Sequence, residues 1–421
     1  APHRLIHRSI RLMFLRLAPV AVLALTAWGC NPPEQTPTPN GQDAGVDAGV
    51  NVTADAGISL APELGTGDRS PGSVTFTEIA NFDSGLRRPR DLAFNPMRPD
   101  ELWIVNYDDD SMVIVFDAST DARTSEKRID PYATHFMAFP SSIAFGSEET
   151  TIGFPGTFGT CQESRNTYGD QAPPNDFMGP ALWSSDLSIF ASTKPEHNPL
   201  GLGTHLDMLH GSPNCMGIAW ERDHIYWAFG GKKQSGTTSK ERQEPIPAIV
   251  KYDFGADHGI GMDDHSDGSI YQYLTNEVAS IPGIPSHMAF DPSDSTLYIA
   301  DTGNARIIAL DTRSGTMGPS LQPQEPLVAY RRVDNATVVD IVPNTSPLAG
   351  IPSGLELQNE LIYSSDNNGS RISAFTKSGE LVNHLDTGLP AGSLSGMAFG
   401  PDGKLYFVDM LGNRVLRIDP R

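Results

Sequence analysis

Cysteine is nearly absent from the 421 residues: three occur, at positions 30, 161 and 215, and none has the C-x-x-C spacing of a zinc ribbon or thiol redox site. Basic residues are scarce too, with 30 Lys and Arg against 51 Asp and Glu. The net charge of −21 argues against nucleic acid as a partner and against direct docking on anionic lipid head groups. The apolar run from Leu17 to Trp28 is too short for a permanent membrane helix, which needs about 20 residues. G-x-S-x-G, the P-loop motif and H-E-x-x-H are missing as well, which removes three familiar catalytic frameworks.

What is present begins with an export pattern. From Met13 the chain reads "MFLRLAPVAVLALTAWGC", one Arg followed by an apolar stretch ending in Gly29-Cys30. This resembles a bacterial lipobox, with Ala27 where Leu is usual. Residues 1–29 are therefore expected to be upstream residues and a lipoprotein-type signal, with Cys30 lipidated. An ordinary cleavage site near Cys30 is the alternative. Asn31 in place of Asp resembles the outer-membrane sorting pattern. Residues 30–70, rich in Pro, Ala, Asp and Gly and free of aromatics up to the glycine of "TADAG", predict a disordered tether. Its "DAG" repeats resemble spacers of myxobacterial lipoproteins. The first thirty residues hold four Arg and no acid, so the rest carries −25 and favours cations near its surface. In an exported chain the remaining pair, Cys161 and Cys215, predicts a disulfide.

From about residue 71 the chain repeats itself. "HMAFDPSDSTLYIADTGNARIIALD" aligns with "GMAFGPDGKLYFVDMLGNRVLRIDP", three short strands in one order. Asp301 to Arg306 and Asp409 to Arg414 are both steps of five. The pattern recurs more loosely from Asp91, from Met216 and from Gly354, and "SIAFG" at 142–146 opens a further unit. Each strand alternates apolar and polar residues between Gly, Pro, Asn and Asp turns. Fourth strands are expected at "SIYQYL" (269), "PLVAYRRV" (326) and "LVNHLD" (381). Six units of four strands predict an all-β, six-bladed β-propeller over 71–421, with an insertion at about 147–214. "VTFTEIANF", 74–82, is expected to complete the last blade and close the ring.

"LYIADTGNARI" and "LYFVDMLGNRV" resemble NHL repeats, a family of six-bladed propellers. The resemblance implies that Asp301, Asn304 and Arg306, and Asp409, Asn413 and Arg414, build turns between second and third strands. NHL propellers include amidating lyases that hold zinc through channel histidines. At the corresponding strand entries this chain has Arg90, Ser141, Met216, Ser286, Ser353 and Ser395, so that site is not carried over. The calcium site of gluconolactonase-like propellers is not carried over either. "RPRDLAF" lacks their Glu, and Ser353 stands where their Asn would be.

Departures from the repeat are where chemistry is expected. His135, His210 and His287 each precede the first strand of consecutive blades. They are candidates to converge on one metal, with imidazole suiting Zn or Cu and nearby Met208 and Met216 favouring Cu(I). The competing expectation is three separate loop histidines bonded to backbone carbonyls. "ADHGIGMDDHSDGS" offers Asp263, Asp264, His265 and Asp267 as a second cation loop, without the twelfth-position carboxylate of an EF-hand. A solvated acidic turn is its alternative, and its place between third and fourth strands predicts the face opposite to His210. The stretch from Gly153 to Ser192 is expected to cap the channel mouth. Together these readings predict a monomeric cell-envelope lipoprotein, attached to the membrane by its lipid only, that binds a small ligand or an envelope protein. Zn, Cu and Ca are the candidate ions. The alternative is a metal-dependent lyase or hydrolase using channel-facing histidines.

Overall fold

A computed structural model describes residues 61–146, 156–166, 176–232, 245–256, 258–323 and 325–421. The signal, Cys30 and the tether up to residue 60 lie outside the described residues. Strand β1 (Val74–Ala80) comes first. Blade one follows with β2 (Pro89–Phe94), β3 (Leu102–Asn106), β4 (Ser111–Phe116) and β5 (Thr124–Arg128). Blade two is β6 (Pro140–Phe145), β7 (Thr157–Gln162), β8 (Ala181–Ser184) and β9 (His205–Met208). Blade three is β10 (Gly217–Arg222), β11 (Ile225–Lys232), β12 (Ile246–Asp253) and β13 (Ser269–Tyr273). Blade four opens with β14 (Met288–Asp291), β15 (Thr296–Asp301) and β16 (Arg306–Asp311). It continues through β17 (Thr316–Ser320) and β18 (Ala329–Asp334) to β19 (Val338–Val342). Blade five is β20 (Pro352–Gln358), β21 (Leu361–Asp366), β22 (Arg371–Thr376) and β23 (Leu381–Asp386). Blade six is β24 (Leu394–Phe399), β25 (Leu405–Asp409) and β26 (Arg414–Pro420), completed by β1.

The ring closes as the sequence predicts: β1 pairs antiparallel with β26, Val74 opposite Pro420 and Phe76 opposite Ile418. A free sheet edge is thereby paired within the same chain. Each interface between neighbouring blades holds its own apolar cluster. Leu92, Ile104 and Val113 of blade one meet Tyr406, Val408 and Val415 of blade six, and Trp103, Met112 and Ile114 meet Phe158, Ala181 and Trp183 of blade two. Blades are therefore buried on both faces, which a four-stranded sheet alone could not achieve. Residues 61–70, expected within the tether, pack on the propeller: Ala61 and Leu64 are buried against blades five and six, and Asn383 donates to the carbonyls of Ala61 and Gly65.

The repeated Asp–Asn–Arg set closes turns. Asp301 is buried and accepts from Asn304 Nδ2 (2.9 Å), Arg306 Nε (2.7 Å) and the backbone of Ala279 (2.8 Å). In blade six Asp409 accepts from Gly412 N and Arg414 Nε, and Asn413 accepts from Arg88 N across the ring closure. Blade five departs: Arg371 turns to Asp386, and Asp366 caps Ile351 N and Asn368 N instead.

Two expectations need correction. "PLVAYRRV" is not the outer strand of blade four. β18 pairs in parallel with β13 of blade three and antiparallel with β17, making a six-stranded sheet, while β19 completes blade four. Tyr330 and Val333 find apolar partners on blade three, and Tyr330 Oη accepts from Gln272 Nε2 at 2.7 Å, which fixes the strand there. The stretch from Gly153 to Ser192 is in large part blade two itself, because it contains β7 and β8. Residues 147–155 and 167–175 of the insertion lie outside the described residues. Cys161 and Cys215 form a disulfide, Cα to Cα 5.3 Å, joining β7 to the entry of blade three.

Candidate functional site

Innermost strands position the first site. Aligned on the repeat they read DLAF (91–94), SIAF (142–145), GIAW (217–220), HMAF (287–290), GLEL (354–357) and GMAF (396–399). Side chains alternate along a strand. The second position (Leu92, Ile143, Ile218, Met288, Leu355, Met397) fills the cores between blades. The third-position alanines pack into the cluster on the opposite face of each blade, so the inner edges of the strands, with the first-position side chains, line the channel. Glycine holds the first position in three blades because the strands crowd there: a Cβ on Gly396 would lie 2.2 Å from Asp91 Oδ1. The remaining first positions are Asp91, Ser142 and His287, and the third is Ala everywhere except Glu356.

These groups line a cavity of about 610 Å³. Asp91 is buried, accepts from Ser142 Oγ (2.7 Å), Ile143 N (3.0 Å) and Leu92 N (2.9 Å), and faces His287 Nδ1 at 3.6 Å. Burial pushes its carboxyl above the usual range, with His287 opposing. Burial likewise raises Glu356, to about 7, with the charge of Asp91 adding to it. At the fourth position five of six blades carry an aromatic ring, Phe94, Phe145, Trp220, Phe290 and Phe399, all partly exposed to the cavity. Beyond them Lys377 Nζ bridges Asp291 and Glu360, 2.6 Å from each.

The cavity opens toward the turns between first and second strands, because the strand-entry face is filled. Arg90, 1% exposed, lies over the Tyr107 ring at 4.1 Å and donates to Gly283 O. Glu163 accepts from Gly283 N at 2.7 Å. Serines at the strand entries stitch blade to blade: Ser141 Oγ donates to Cys215 O (2.7 Å), Ser353 Oγ to Pro285 O (2.8 Å) and Ser395 Oγ to Arg90 O (2.5 Å). Strand entry is thus architecture here.

The structure does not bring His135, His210 and His287 to one point. His287 Nε2 lies 3.1 Å from Ser141 O inside the channel. His135 and His210 rings stack 6.2 Å apart, away from the channel lining. Burial lowers His135 to about 4, so it is neutral at pH 7. Met208 and Met216 belong to apolar cores of different blade interfaces, which removes the sulfur that favoured Cu(I). Asp263 and Asp264 are exposed; Asp264 caps Ser266 N, and Asp267 accepts from Ala256 N and pairs with His258. The acidic loop is therefore a turn rather than a ring of converging oxygens.

One member of that loop behaves otherwise. The loop does not stay on the opposite face but folds back along the edge of blade two, Gly261 N donating to His205 O. His265 Nδ1 then lies 2.6 Å from Asp207 Oδ1. Burial pulls its pKa down, but the Asp207 bond and charge outweigh this and raise it. Glu325, on the segment leading into β18, accepts from His210 N (2.7 Å) and pairs with His210 Nδ1 (2.5 Å). Phe177 stacks on His210 at 3.5 Å. His205 stacks on Phe136 at 3.6 Å, and burial lowers it to about 3.

Sequence reasoning missed Asp91, Glu356, Asp207 and Glu325. The first two were signalled by the repeat alignment, as the only acidic residues within the six aligned four-residue inner strands. Glu325 carried no signal.

A ring of six sheets with a polar-floored channel defines the class: a six-bladed β-propeller. No family model and no curated protein matches the chain. Solved structures similar to it include a gluconolactonase from Xanthomonas campestris, 12% identical, covering 86% of this chain and 92% of that one at TM-score 0.48. A streptogramin B lyase is 11% identical over 83% and 98%, TM-score 0.45. An auxiliary nutrient binding protein from Bacteroides ovatus is 12% identical over 83% and 77%, TM-score 0.47. Likeness at this level carries no argument about chemistry.

Proposed function

We propose that the chain is a cell-envelope lipoprotein, anchored at the outer membrane through Cys30, whose NHL-type propeller binds a small cationic ligand in its channel. Support comes from the channel wall: two carboxylates raised by burial, Asp91 and Glu356, lie behind a collar of five aromatic rings. A desolvated carboxylate gains most from an incoming positive charge, and aromatic faces attract the same charge. Binding should tighten as pH rises through about 7, where Glu356 ionises. Among the three histidines proposed as metal ligands only His287 faces this cavity, which favours binding over metal-dependent lyase or hydrolase chemistry in the channel.

Calorimetric titration with choline and putrescine at pH 6 and pH 8, following Trp220 fluorescence in parallel, tests the reading. Tighter binding at pH 8, lost in Glu356→Gln, is expected. Binding of neutral sugars alone would replace the cation with a polyol. Anchoring is tested separately by fatty-acid labelling, which Cys30→Ser should abolish together with membrane fractionation.

A further inference from the structure

Outside the channel lining, three segments distant in sequence converge at the rim between blades two and three. The exit of β9 brings Asp207 and His210, the β12–β13 loop brings His265, and the approach to β18 brings Glu325. One ligand atom from each of His210, His265 and Glu325 lies within 4.8 Å of the other two. We propose that these three side chains bind a single Zn²⁺ ion that fastens the β17–β18 insertion to blades two and three.

The donor set selects the ion. Two imidazoles and one carboxylate are a zinc combination that leaves a fourth position for water. Ca²⁺ needs six to eight oxygens, which this pocket does not assemble. Cu(I) wants soft sulfur, and the neighbouring methionines point into other cores. Asp207 supplies the support such sites use: its Oδ1 holds His265 Nδ1 at 2.6 Å, which leaves Nε2 for the ion. His265 Nε2 stands 3.9 Å from Glu325 Oε2. The 2.5 Å between His210 Nδ1 and Glu325 Oε2 is a proton's separation. Ligands on tetrahedral zinc stand about 3.3 Å apart, so exchanging that proton for the ion needs less than an ångström of opening.

Burial also distinguishes the cluster from a surface ion pair. The His210 and Glu325 side chains are 3% and 5% exposed. Asp207 Oδ2 has no hydrogen-bond partner among the described residues, and neither has His210 Nε2, so Nε2 can carry the ring proton when Nδ1 gives its lone pair to the ion. His265, 11% exposed, leaves an entry path from solvent. The loop is built to reach the site: Gly268 packs so closely that a Cβ would meet Leu209 Cδ2 at 2.7 Å, and its carbonyl accepts from Val328 N in the insertion.

The test uses the full chain, stripped by chelator and dialysed, then titrated with ZnCl₂ alone. One equivalent should bind and raise the melting temperature. Glu325→Gln and His265→Ala should lose that equivalent, and Asp207→Asn, a positioning change, should weaken it about 10- to 100-fold. His287→Ala, in the channel, should bind as wild type does. Co²⁺ on the wild-type protein gives a readout that needs no variant. Four- or five-coordinate visible bands without thiolate charge transfer are expected. The spectrum of free aqueous Co²⁺, no stoichiometric Zn²⁺, or Zn²⁺ binding undiminished in both Glu325→Gln and His265→Ala would overturn the proposal.

Discussion

Blades four to six and blades two to three use charge in opposite ways. In the first arc Asp301, Arg306, Asp409 and Arg414 sit at matching places and are spent locally, each carboxylate closing the turn that follows its own strand. In the second arc Asp207, His210, His265 and Glu325 occur once each and meet across up to 115 residues of sequence. Repetition marks what builds a blade; convergence without repetition marks what the fold has added. Polar groups in the channel follow the second rule, since Asp91, His287 and Glu356 stand where other blades have Gly, Ser or Ala.

The sharpest way to break this contrast is to remove the covalent link that only the elaborated arc possesses. Replacing Cys161 and Cys215 together by Ser opens a loop spanning 54 residues. Chain entropy then predicts a loss of about 4 kcal/mol, read from the guanidinium midpoint. A loss under about 1 kcal/mol would show that packing and the buried cluster already hold this arc. The regular arc should respond next. Asp301→Ala leaves the Ala279 amide without its acceptor and frees Asn304, while Arg306 keeps Asp340 and Glu277 O, and should cost about 2–3 kcal/mol. The matching Asp366→Ala should cost about 1 kcal/mol, because Arg371 keeps Asp386. Equal losses would mean that the repeat, not the observed bonding, sets the energetics.

The channel offers a smaller, pH-dependent effect. Glu356 titrates near 7 in the folded protein against about 4.5 ordinarily, so the native state holds the proton more tightly. Its contribution is present below pH 4.5 and lost as pH rises through 7. Glu356→Gln cannot titrate, so its stability relative to wild type should rise by about 1–2 kcal/mol between pH 5 and pH 8, after allowance for screening by channel water. A constant difference across that range would show that Glu356 is solvated like a surface carboxylate.

Legibility followed the same division. Strands that recur announce themselves by repetition, as in "LYFVD" beside "LYIAD", although both are buried almost throughout, and the closing strand at Val74–Ala80 was readable as the one strand left over before the first unit. Blade two was not, because β7 ("TFGTCQ") and β8 ("ALWS") do not follow the repeat and are separated by inserted residues. β18 misled in another way. It is a strand, but the partner is the preceding blade, a choice made by Tyr330 and Val333, three residues apart and packed into two different clusters, rather than by local pattern. Asp207 and His265 stand 58 residues apart on different blades, and no spacing rule links them.

The smallest effect separates the two roles inside one loop. Asp263 and Asp264 are exposed, and Asp264 is held below the usual carboxylate range first by Ser266. The next residue, His265, turns inward to Asp207. If the loop were a calcium site, its carboxylates would have to converge, yet Asp267 already serves Ala256 N and His258. Asp263→Asn with Asp264→Asn should therefore leave the melting temperature unchanged, in Ca²⁺ or in chelator, and should leave Zn²⁺ binding intact. A Ca²⁺-dependent rise in melting temperature that vanishes in this double variant would move the working part of the loop from its single inward histidine to its acidic rim.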